Sequence, residues 1–299
     1  MAKPKYTKAQ FDREYPDDGA CLDAIMDMCY GGTDIPCPGC KRTTKFTRIA
    51  KRRAYACQWC GAHVYPCVGT VFEKSRTPLT KWFYAMYLFT ASRHGVPARE
   101  LERQLGVTYK CAWRIAHELR KLMATADFRG PMGGAGKHVE VDETLIGGRA
   151  KGKGMGSGRV NKTMVLGIVE RDGPVRAGVI PTDSLTYLEG SVSHNVRRGT
   201  RVSTDDHRSY RHLGRVGFDH SVIKHSEGEY ARGEVHTNTI EGYWSRLKNS
   251  IKGTHIHVSE RHLWKYVSEF GYRYNMRKQP QEMFNRMVLA ISMPRLTEG

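Results

Sequence analysis

The sequence predicts an α/β protein in which a mixed β-sheet is flanked by helices and preceded by a small cysteine-rich module and a pair of helices. Two Cys-x-x-Cys pairs lie within the first 60 residues, and helical apolar spacing follows them up to about residue 123. Beyond residue 137, strand patterns come first and helical patterns come last. Strands followed by helices are typical of a sheet that is covered by helices.

The composition points to a polyanionic partner. The chain has 299 residues and a formal net charge of +18, from 48 basic and 30 acidic residues. This length allows two or three domains, and the basic balance favours nucleic acid as a partner, with an inert basic surface as the alternative. No apolar run approaches 18 residues and no apolar signal core follows Met1. We therefore expect a soluble chain that is neither exported nor bound to a membrane.

Residues 1–35 are predicted to form an N-terminal helical segment. The stretch Tyr15–Asp18 starts a turn, and apolar side chains at helical spacing follow it. Cys21 and Cys29 belong to this pattern, and we expect both to be small buried apolar side chains.

Residues 36–67 are predicted to form a zinc ribbon. The first cysteine pair and the second are separated by 16 residues, which is typical of ribbons in which two turns direct four thiolates at one Zn²⁺. The predicted ligands are Cys37, Cys40, Cys57 and Cys60. Such a Cys₄ site is closed, so the zinc is expected to be structural, and Cys67 is expected to pack beneath the ribbon without binding metal.

The segment between the two cysteine pairs is strongly basic. It contains seven basic residues and no acid, which suits contact with phosphates, although a merely solvated face is the alternative. We predict DNA contacts from Arg48, Arg52 and Arg53.

Residues 68–128 are predicted to form a helix-turn-helix domain. A first helix begins after an N-cap at Thr77 and carries an apolar stripe. The segments 97–105 and 108–123, separated by Gly106, then predict two helices joined by a tight turn, an arrangement whose second helix can lie in the major groove of DNA. The candidate DNA-facing residues on that second helix are Tyr109, Lys110, Arg114, Arg120 and Lys121.

The glycine-rich stretch 129–137 is a predicted break, and residues 129–299 are assigned to one further domain. The loop Gly147–Lys162 contains six glycines and five basic residues. It resembles a phosphate-binding loop, but Gly154 stands where that pattern requires Ser or Thr. We therefore exclude nucleotide binding and expect a mobile basic loop that can touch DNA.

Strand and helix patterns fill the rest of this domain. In His138–Glu143 two valines alternate with two acids, so a strand would bury the valines and present the acids on its other face. Asp172-Gly173 marks a hairpin turn. The strands are expected at 138–143, 164–169, 175–180, 201–204 and 222–225, and the helices at 184–195, 238–253 and 259–277.

Three acids from three of these elements suit a divalent-metal site. Asp142 and Asp205 each close an apolar strand segment, 63 positions apart, and Glu241 follows 36 positions later near a helix start. If the strands are neighbours and the helix packs across them, the three carboxylates converge and can hold two Mg²⁺ ions for chemistry at a phosphodiester. Glu140, on the same strand face, and Asp206 are competing ligands. A salt bridge to an arginine is the alternative role for Asp142.

Other roles stay open near the third acid. Asn238 and Glu241 match a capping box, with Asn238 as the N-cap and Glu241 three residues into the helix. Lys248 lies two turns beyond Glu241 on the same face, where it would meet a phosphate or be solvated. The weaker candidates for proton transfer are His207, His225 and His236.

The motifs VEVDET, STDDHRSY and HTNTIEGYWSRLK resemble the three signature blocks of DDE transposases of bacterial insertion sequences. Together with CPGC, CQWC, VGTVFEKSRTPLTKWF and GYRYNMRK, the resemblance extends from about residue 10 to residue 278. It is closest to the ISXO-like group, which has an N-terminal zinc ribbon followed by a helix-turn-helix. The resemblance implies an RNase H-like catalytic core whose acids are Asp142, Asp205 and Glu241, with Lys248 as the accompanying basic residue. Some relatives have asparagine as the third residue, which keeps Asn238 open as a catalytic residue.

The resemblance also implies a reaction and its partners. The expected enzyme binds the terminal inverted repeats of an insertion sequence, cuts the 3′ ends and joins them to target DNA, using two Mg²⁺ (or Mn²⁺) ions and structural Zn²⁺. It would act in the bacterial cytoplasm on the nucleoid, as a homodimer or a larger assembly on double-stranded DNA. A non-catalytic DNA-binding regulator, a plain nuclease or resolvase, and an inactive copy remain alternatives.

Overall fold

The structure is a computed structural model that describes residues 6–127, 130–147, 162–224 and 233–294. Within these ranges the chain forms two compact units. The first contains the residues up to Ala126 together with those from Lys278 onward, and the second extends from Asp127 to Arg277. Residues 148–161 of the predicted basic loop, and His225, lie outside the described residues.

The first unit begins with two helices whose starts are capped by side chains. α1 (Lys8–Glu14) starts with a capping box at Thr7. The N-cap of α2 (Asp18–Tyr30) is Asp17, whose carboxylate accepts a hydrogen bond from a backbone N–H of the first turn. Cys21 on α2 is fully buried, as expected. Only the second of these helices was predicted.

Four short strands form an antiparallel sheet in which neighbours in sequence are neighbours in space. They are β1 (Asp34–Pro36), β2 (Thr43–Arg48), β3 (Tyr55–Cys57) and β4 (His63–Val64). Phe46 and Tyr55 are among the few large side chains that this sheet buries. A module this small cannot bury much apolar surface, so a bound metal would contribute strongly to its stability.

Three helices follow the sheet. They are α3 (Leu79–Ala91), α4 (Ala98–Leu105) and α5 (Tyr109–Ala126). The N-cap of α3 is Pro78, with no side-chain hydrogen bond, so the expectation of a Thr77 cap is wrong. Gly106 ends α4 with φ +57°, a left-handed conformation that glycine adopts readily, and this keeps the connection to α5 short. The predicted stripe on α3 is fully buried and consists of Leu79, Trp82, Phe83, Met86 and Phe89.

In its described residues, the second unit contains a five-stranded mixed sheet and three α-helices. The strands are β5 (His138–Gly147), β6 (Lys162–Glu170), β7 (Val175–Val179), β8 (Arg201–Thr204) and β9 (Asp219–Val222). The helices are α6 (Leu185–Asn195), α7 (Asn238–Ser250) and α8 (Glu260–Asn275). The strand order is β7-β6-β5-β8-β9, so β5 is central. It is antiparallel to β6 and parallel to β8.

The sheet buries apolar side chains on both faces. On one face, Val139 and Val141 of β5 pack with Leu188 of α6. On the other face, Val165 of β6 packs with Trp244 of α7 and with residues of α8. This division confirms that β5 turns its valines to one side and its alternating acids to the other.

The chain returns to the first unit at its C-terminal end. The helix α9 (Met283–Leu289) packs there, and its Phe284 ring stacks on Tyr6 at 4.9 Å between centroids. Phe11 and Tyr15 also contact Phe284, so residues from the two ends of the described chain share one aromatic cluster. No helix in the described ranges is long and apolar enough to cross a membrane.

Candidate functional site

The four predicted zinc ligands converge on one point. The Sγ atoms of Cys37 and Cys60 are 3.5 Å apart, those of Cys40 and Cys57 are 3.9 Å apart, and all four lie within 4.8 Å of one another. Four sulfurs at about 2.3 Å from one Zn²⁺ in a tetrahedron would be about 3.8 Å from each other. The thiols therefore have the chemistry and the spacing of a structural zinc site.

The turns around the thiols are shaped for this convergence. A Cβ at Gly39 would lie 3.0 Å from the Cβ of Ala62 and 3.3 Å from Sγ of Cys60, so glycine allows the two turns to approach. Burial raises the pKa of the Cys37 thiol, but hydrogen bonds from backbone N–H groups and the neighbouring thiols lower it by more. The resulting pKa is about 6. Cys67 is buried and does not belong to the group, as expected.

Two of the three predicted acids occupy matching positions on neighbouring strands. β5 and β8 are parallel, and Glu140 pairs with Ser203. Asp142 is two residues beyond Glu140 on β5, and Asp205 is two residues beyond Ser203, immediately after the end of β8. The charge of Asp205 acts on Asp142. Neighbouring strands lie about 4.8 Å apart, so these carboxylates are near enough to repel one another.

The electrostatics of this spot favour a bound cation. Burial raises the pKa of Asp142 to about 7, with further contributions from the charges of Glu143 and Asp205. Burial and the charge of Asp205 also raise the pKa of Glu143, although the hydroxyl of Tyr210, which donates a hydrogen bond to Glu143, opposes this. Clustered half-buried carboxylates are costly without a counter-charge. Their oxygen donors fit Mg²⁺ or Mn²⁺.

Glu140, the alternative metal ligand on the face of β5 that carries Asp142, is engaged within the fold. It is fully buried, and its carboxylate accepts hydrogen bonds from the backbone N–H groups of Thr239 (2.8 Å) and Ile240 (3.0 Å). Arg171 donates to it from Nε at 2.7 Å. Glu140 therefore caps the N-terminus of α7 from the adjacent strand.

The alternative role of Asn238 and Glu241 as a capping box at the start of α7 is wrong. The N-cap is Thr237, not Asn238, and Glu241 is the fourth residue of the helix. Glu241 accepts a hydrogen bond from Oγ1 of Thr237 at 2.8 Å. The backbone donors that a local cap would satisfy are instead satisfied by Glu140, which lies 99 positions before Thr239 in the sequence.

Glu241 and Lys248 lie on the side of α7 that borders Asp142. Helical periodicity places Glu241, Trp244 and Lys248 on one side of the helix, and Nε1 of Trp244 donates to Asp142 at 2.9 Å. Burial lowers the pKa of Lys248, and the Asp142 carboxylate opposes this. Asn238 points elsewhere, into a groove that it shares with Arg171.

The three acids do not form a closed group. In the described part of the chain, the four cysteines are the only set of three or more Cys, His, Asp or Glu side chains whose ligand atoms converge. Asp142 and Asp205 are neighbours, and Glu241 is exposed on the adjoining helix face. Three carboxylates repel one another, so a closer grouping of the three acids would require a positive counter-charge.

Residues that the sequence reasoning missed also surround this site. Glu143 is adjacent to Asp142 and joined to Tyr210, and the backbone N–H of His207 donates to Asp205 at 3.1 Å. The His207 ring lies 3.9 Å from Glu143, whereas the His236 ring is 3.2 Å from Glu140. Glu140 and Glu143 are the other two acids of VEVDET, but the local sequence does not indicate which residues contact them. Asp206 is exposed, while Asp205 is half-buried beside Asp142.

The predicted DNA-binding arginines of the ribbon differ in their surroundings. Arg52 is exposed. Arg48 is exposed and pairs with Asp23 at 3.2 Å. Arg53 is half-buried and donates to the backbone carbonyls of Ser75 (2.7 Å) and Thr77 (2.6 Å), so part of its guanidinium is engaged within the fold.

The candidate residues on α5 divide in the same way. Tyr109 and Lys110 are exposed, and Arg99 lies 4.3 Å from the centre of the Tyr109 ring. Arg114 is exposed but donates to Oγ of Ser75 at 3.0 Å. Arg120 is only 1% exposed and lies over the Phe89 ring, so its assignment as a DNA-facing residue is wrong. Lys121 pairs with Glu118 at 3.2 Å.

Comparisons with known proteins agree with this arrangement. Residues 133–275 match the ISXO2-like transposase domain, and residues 16–63 match a transposase zinc-ribbon domain. A protein from Halobacterium salinarum, described as an uncharacterized protein in transposable element ISH50, is 28% identical over 281 residues, which cover 87% of this chain and 92% of that protein. The first matched range contains all three predicted acids, and the second contains all four predicted zinc ligands. The chain therefore contains an ISXO2-like transposase domain and, before it, a transposase zinc ribbon.

Proposed function

We propose that this chain is a DNA transposase that binds the terminal inverted repeats of its insertion sequence and catalyses metal-dependent cleavage of the 3′ ends and their transfer to target DNA. The observation that supports this proposal most is the parallel pairing of β5, which carries Asp142, with β8, which ends just before Asp205. The charge of Asp205 also acts on Asp142. A pair of half-buried carboxylates with a raised pKa at Asp142 is a site that a divalent cation stabilises.

The proposed catalytic core is RNase H-like and occupies residues 129–277 of the expected range 129–299, because the residues from Lys278 onward belong to the first unit. It follows an N-terminal segment (1–35), a zinc ribbon (36–67) and a helix-turn-helix domain (68–128). The mixed sheet with a central β5 and helices on both faces supports the core. The glycine-ended α4 followed by the long α5 supports the helix-turn-helix.

The residues divide the catalytic work. Asp142 and Asp205 would hold the divalent ions, and Glu241 would complete the site from α7. Two bound Mg²⁺ or Mn²⁺ ions would supply positive charge to stabilise the charge that develops on the oxygens of the reacting phosphate. Trp244 orients Asp142, and Lys248 meets a phosphate oxygen. Cleavage and strand transfer are both in-line displacements at phosphorus, so one site can perform both.

Glu241 is proposed as the third acid in preference to Asn238. Glu241 shares its side of α7 with Trp244 and Lys248, both of which interact with Asp142. Asn238 instead lines a separate groove. The side-chain amide of Asn238 would have to turn away from that groove to reach Asp142 and Asp205.

The first unit is proposed to hold the DNA ends. Exposed residues of the ribbon and of α5, including Arg52, Tyr109 and Lys110, supply the contacts. Some guanidinium N–H groups of Arg48, Arg53 and Arg114 are already bonded within the fold. The remaining N–H groups would donate hydrogen bonds to DNA phosphates. Because two ends of one element must be joined, a homodimer or larger assembly on DNA is expected.

The test is a cleavage and strand-transfer assay with Mg²⁺ on duplexes that carry the ends of the element. Asp142→Asn, Asp205→Asn and Glu241→Gln should lower cleavage by at least about 100-fold while DNA binding survives. Asn238→Ala is the matched comparison and should retain cleavage. Unchanged cleavage in any acid variant removes that residue from the site. Cleavage without joining would indicate a nuclease, and binding without cleavage in the wild type a regulator.

A further inference from the structure

A groove of about 360 Å³ lies between α7, α8 and the turn after β6 in the second unit. Three arginines line it from different parts of the chain: Arg171, Arg246 and Arg277. Asp172 is the one acid in its lining, and Asn238 and Tyr274 add polar groups. The lining therefore carries a net positive charge.

The three arginines are not equally engaged. Arg171 is paired with the buried Glu140. Arg277 donates to the carbonyls of Tyr274 (2.8 Å) and Gly173 (2.9 Å), which fix its position without neutralising its charge. Arg246 is exposed and, among the described residues, its side chain makes no hydrogen bond or ion pair. Two cationic side chains thus face the groove without a carboxylate partner in the described part of the chain.

The groove has the chemistry of a phosphodiester site. The guanidinium of Arg277 lies 3.9 Å from the centre of the Tyr274 ring, which holds the planar group in one orientation. A guanidinium has five N–H donors, and those of Arg277 that do not reach the two carbonyls remain for an anion. Arginine pairs well with phosphate oxygens because its donors form a fixed fork. The N-terminal N–H groups of α7 are already used by Glu140, so the arginines carry the attraction.

The groove is separate from the acid pair. Asn238, Gly242 and Arg246 recur every four residues along one side of α7 and line the groove. Trp244 and Lys248, which face Asp142, lie on another side of the same helix. A duplex whose scissile phosphate sits at the acids would place a different phosphate in this groove.

We propose that this groove is a second DNA-backbone site of the transposase, which binds a phosphodiester away from the scissile phosphate and so fixes the register of the DNA on the catalytic unit. The proposal rests on the function proposed above. Phosphate contacts of this kind set position and contribute affinity that depends on salt, without reading sequence.

The test measures affinity of the full-length protein for a duplex carrying an element end, without divalent ions, over a range of salt concentrations. Arg246→Ala should weaken binding by about tenfold and lower the slope of log K against log salt by about one. Arg246→Lys should retain most of the affinity, and Arg246→Glu should lose more. Because Arg246 is exposed, the circular dichroism spectrum and melting temperature should be unchanged.

The matched control is Arg215→Ala, which removes the same charge from an exposed arginine of the second unit outside the groove. It should change affinity much less than Arg246→Ala. Equal losses in both variants would mean a general charge effect and would overturn the groove site, as would an unchanged affinity and salt slope in Arg246→Ala. If inorganic phosphate or a nucleoside triphosphate binds the wild type and loses binding in Arg246→Ala while DNA affinity is unchanged, the groove binds small phosphates and the proposal is wrong.

These outcomes are independent of the catalytic proposal. Binding is measured without Mg²⁺, and cleavage by the acid variants is measured with it. A failure of the acid variants to lose cleavage would contradict the catalytic assignment and leave the groove measurement standing. An unchanged DNA affinity in Arg246→Ala would contradict the groove site and leave the catalytic assignment standing.

Discussion

The indole Nε1 of Trp244 donates a 2.9 Å hydrogen bond to a carboxylate oxygen of Asp142. The space for the indole comes from Gly167, which is paired with Asp142 across β5 and β6. A Cβ at Gly167 would lie 2.5 Å from Cζ2 of Trp244 and 2.7 Å from Cδ1 of Ile240. The glycine therefore allows α7 to approach the sheet closely enough for its tryptophan to orient the acid.

Gly167→Ala should disturb this contact. The added methyl group would force the indole and Ile240 to move, at a cost of about 1–3 kcal/mol in the free energy of unfolding. Cleavage should fall with it because Asp142 loses its orienting donor. Urea unfolding and the cleavage assay measure the two effects. The matched control is Gly178→Ala on β7, where a Cβ meets nothing within 4 Å, and equal behaviour of the two variants would contradict the packing argument.

Trp244→Phe should separate the hydrogen bond from the packing. The donor lowers the pKa of Asp142, so its removal should raise that pKa further above its present value of about 7. Metal-dependent cleavage should then fall by about 10- to 100-fold, and its pH profile should shift to higher pH. A uniform loss of cleavage at every pH would mean that the tryptophan acts through packing alone.

The stability of the metal-free protein should depend on pH through Asp142. Its folded-state pKa of about 7 lies above the ordinary value of 3.8, so the stability it contributes is fully present below about pH 4 and is lost as the pH rises through about 7. The full loss is at most about 4 kcal/mol. Calorimetry on wild type and Asp142→Asn measures it, and the variant should lack this part of the slope.

Divalent ions should reverse that trend. Mg²⁺ binds the ionised carboxylates, so the rise in melting temperature that it causes should grow between about pH 6 and about pH 8. Asp142→Asn should show little rise at either pH. An equal Mg²⁺ effect in both proteins would place the ion elsewhere.

Zinc content should follow the cysteine geometry. Cys40→Ser should lose the bound zinc and with it the folded ribbon, because a module of this size has little core of its own. Cys67→Ser is the matched comparison: Cys67 is buried but outside the converging group, so about one zinc per chain should remain. Metal analysis of the purified proteins decides between the two, and zinc loss in Cys67→Ser would contradict the assignment.

Glu140→Gln should destabilise the second unit by about 3 kcal/mol. The variant leaves Arg171 without its carboxylate and weakens the cap of α7, and removing one partner of a buried pair is costly. The control is Glu102→Gln, which breaks the exposed pair with Arg99 and should cost no more than about 0.5 kcal/mol. Denaturant unfolding compares them. Similar small effects in both would show that the Glu140 network is solvated in solution.

Much of the fold and of the zinc site could be predicted because the signals are local. The cysteine spacing fixes four ligands in two turns, and the structure places their thiols together. The alternation in His138–Glu143 distinguishes the two faces of β5, and β8 has the predicted bounds Arg201–Thr204. The expectation that the two strands are neighbours is confirmed by their parallel pairing. The expectation that Asp142 closes its strand is wrong, because β5 continues to Gly147.

The rest depends on contacts that join distant parts of the sequence. Asn238 has the residue type of an N-cap, but the cap comes from Glu140 on another element. Arg120 has a charged side chain at a helical position, yet the fold buries it. β9 begins at Asp219 and ends at Val222, earlier than the expected 222–225, because its polar residues give almost no apolar alternation. The association of α9 with the first unit also has no local signal.

The polypeptide passes from one unit to the other twice, once after Ala126 and again after Arg277. Phe284 completes the aromatic cluster around Tyr6 and Phe11, so the N-terminal helices need α9 to complete their own core. A prematurely terminated copy of the gene would thus yield a protein with an incomplete interior. Such a product should be cleared by proteases.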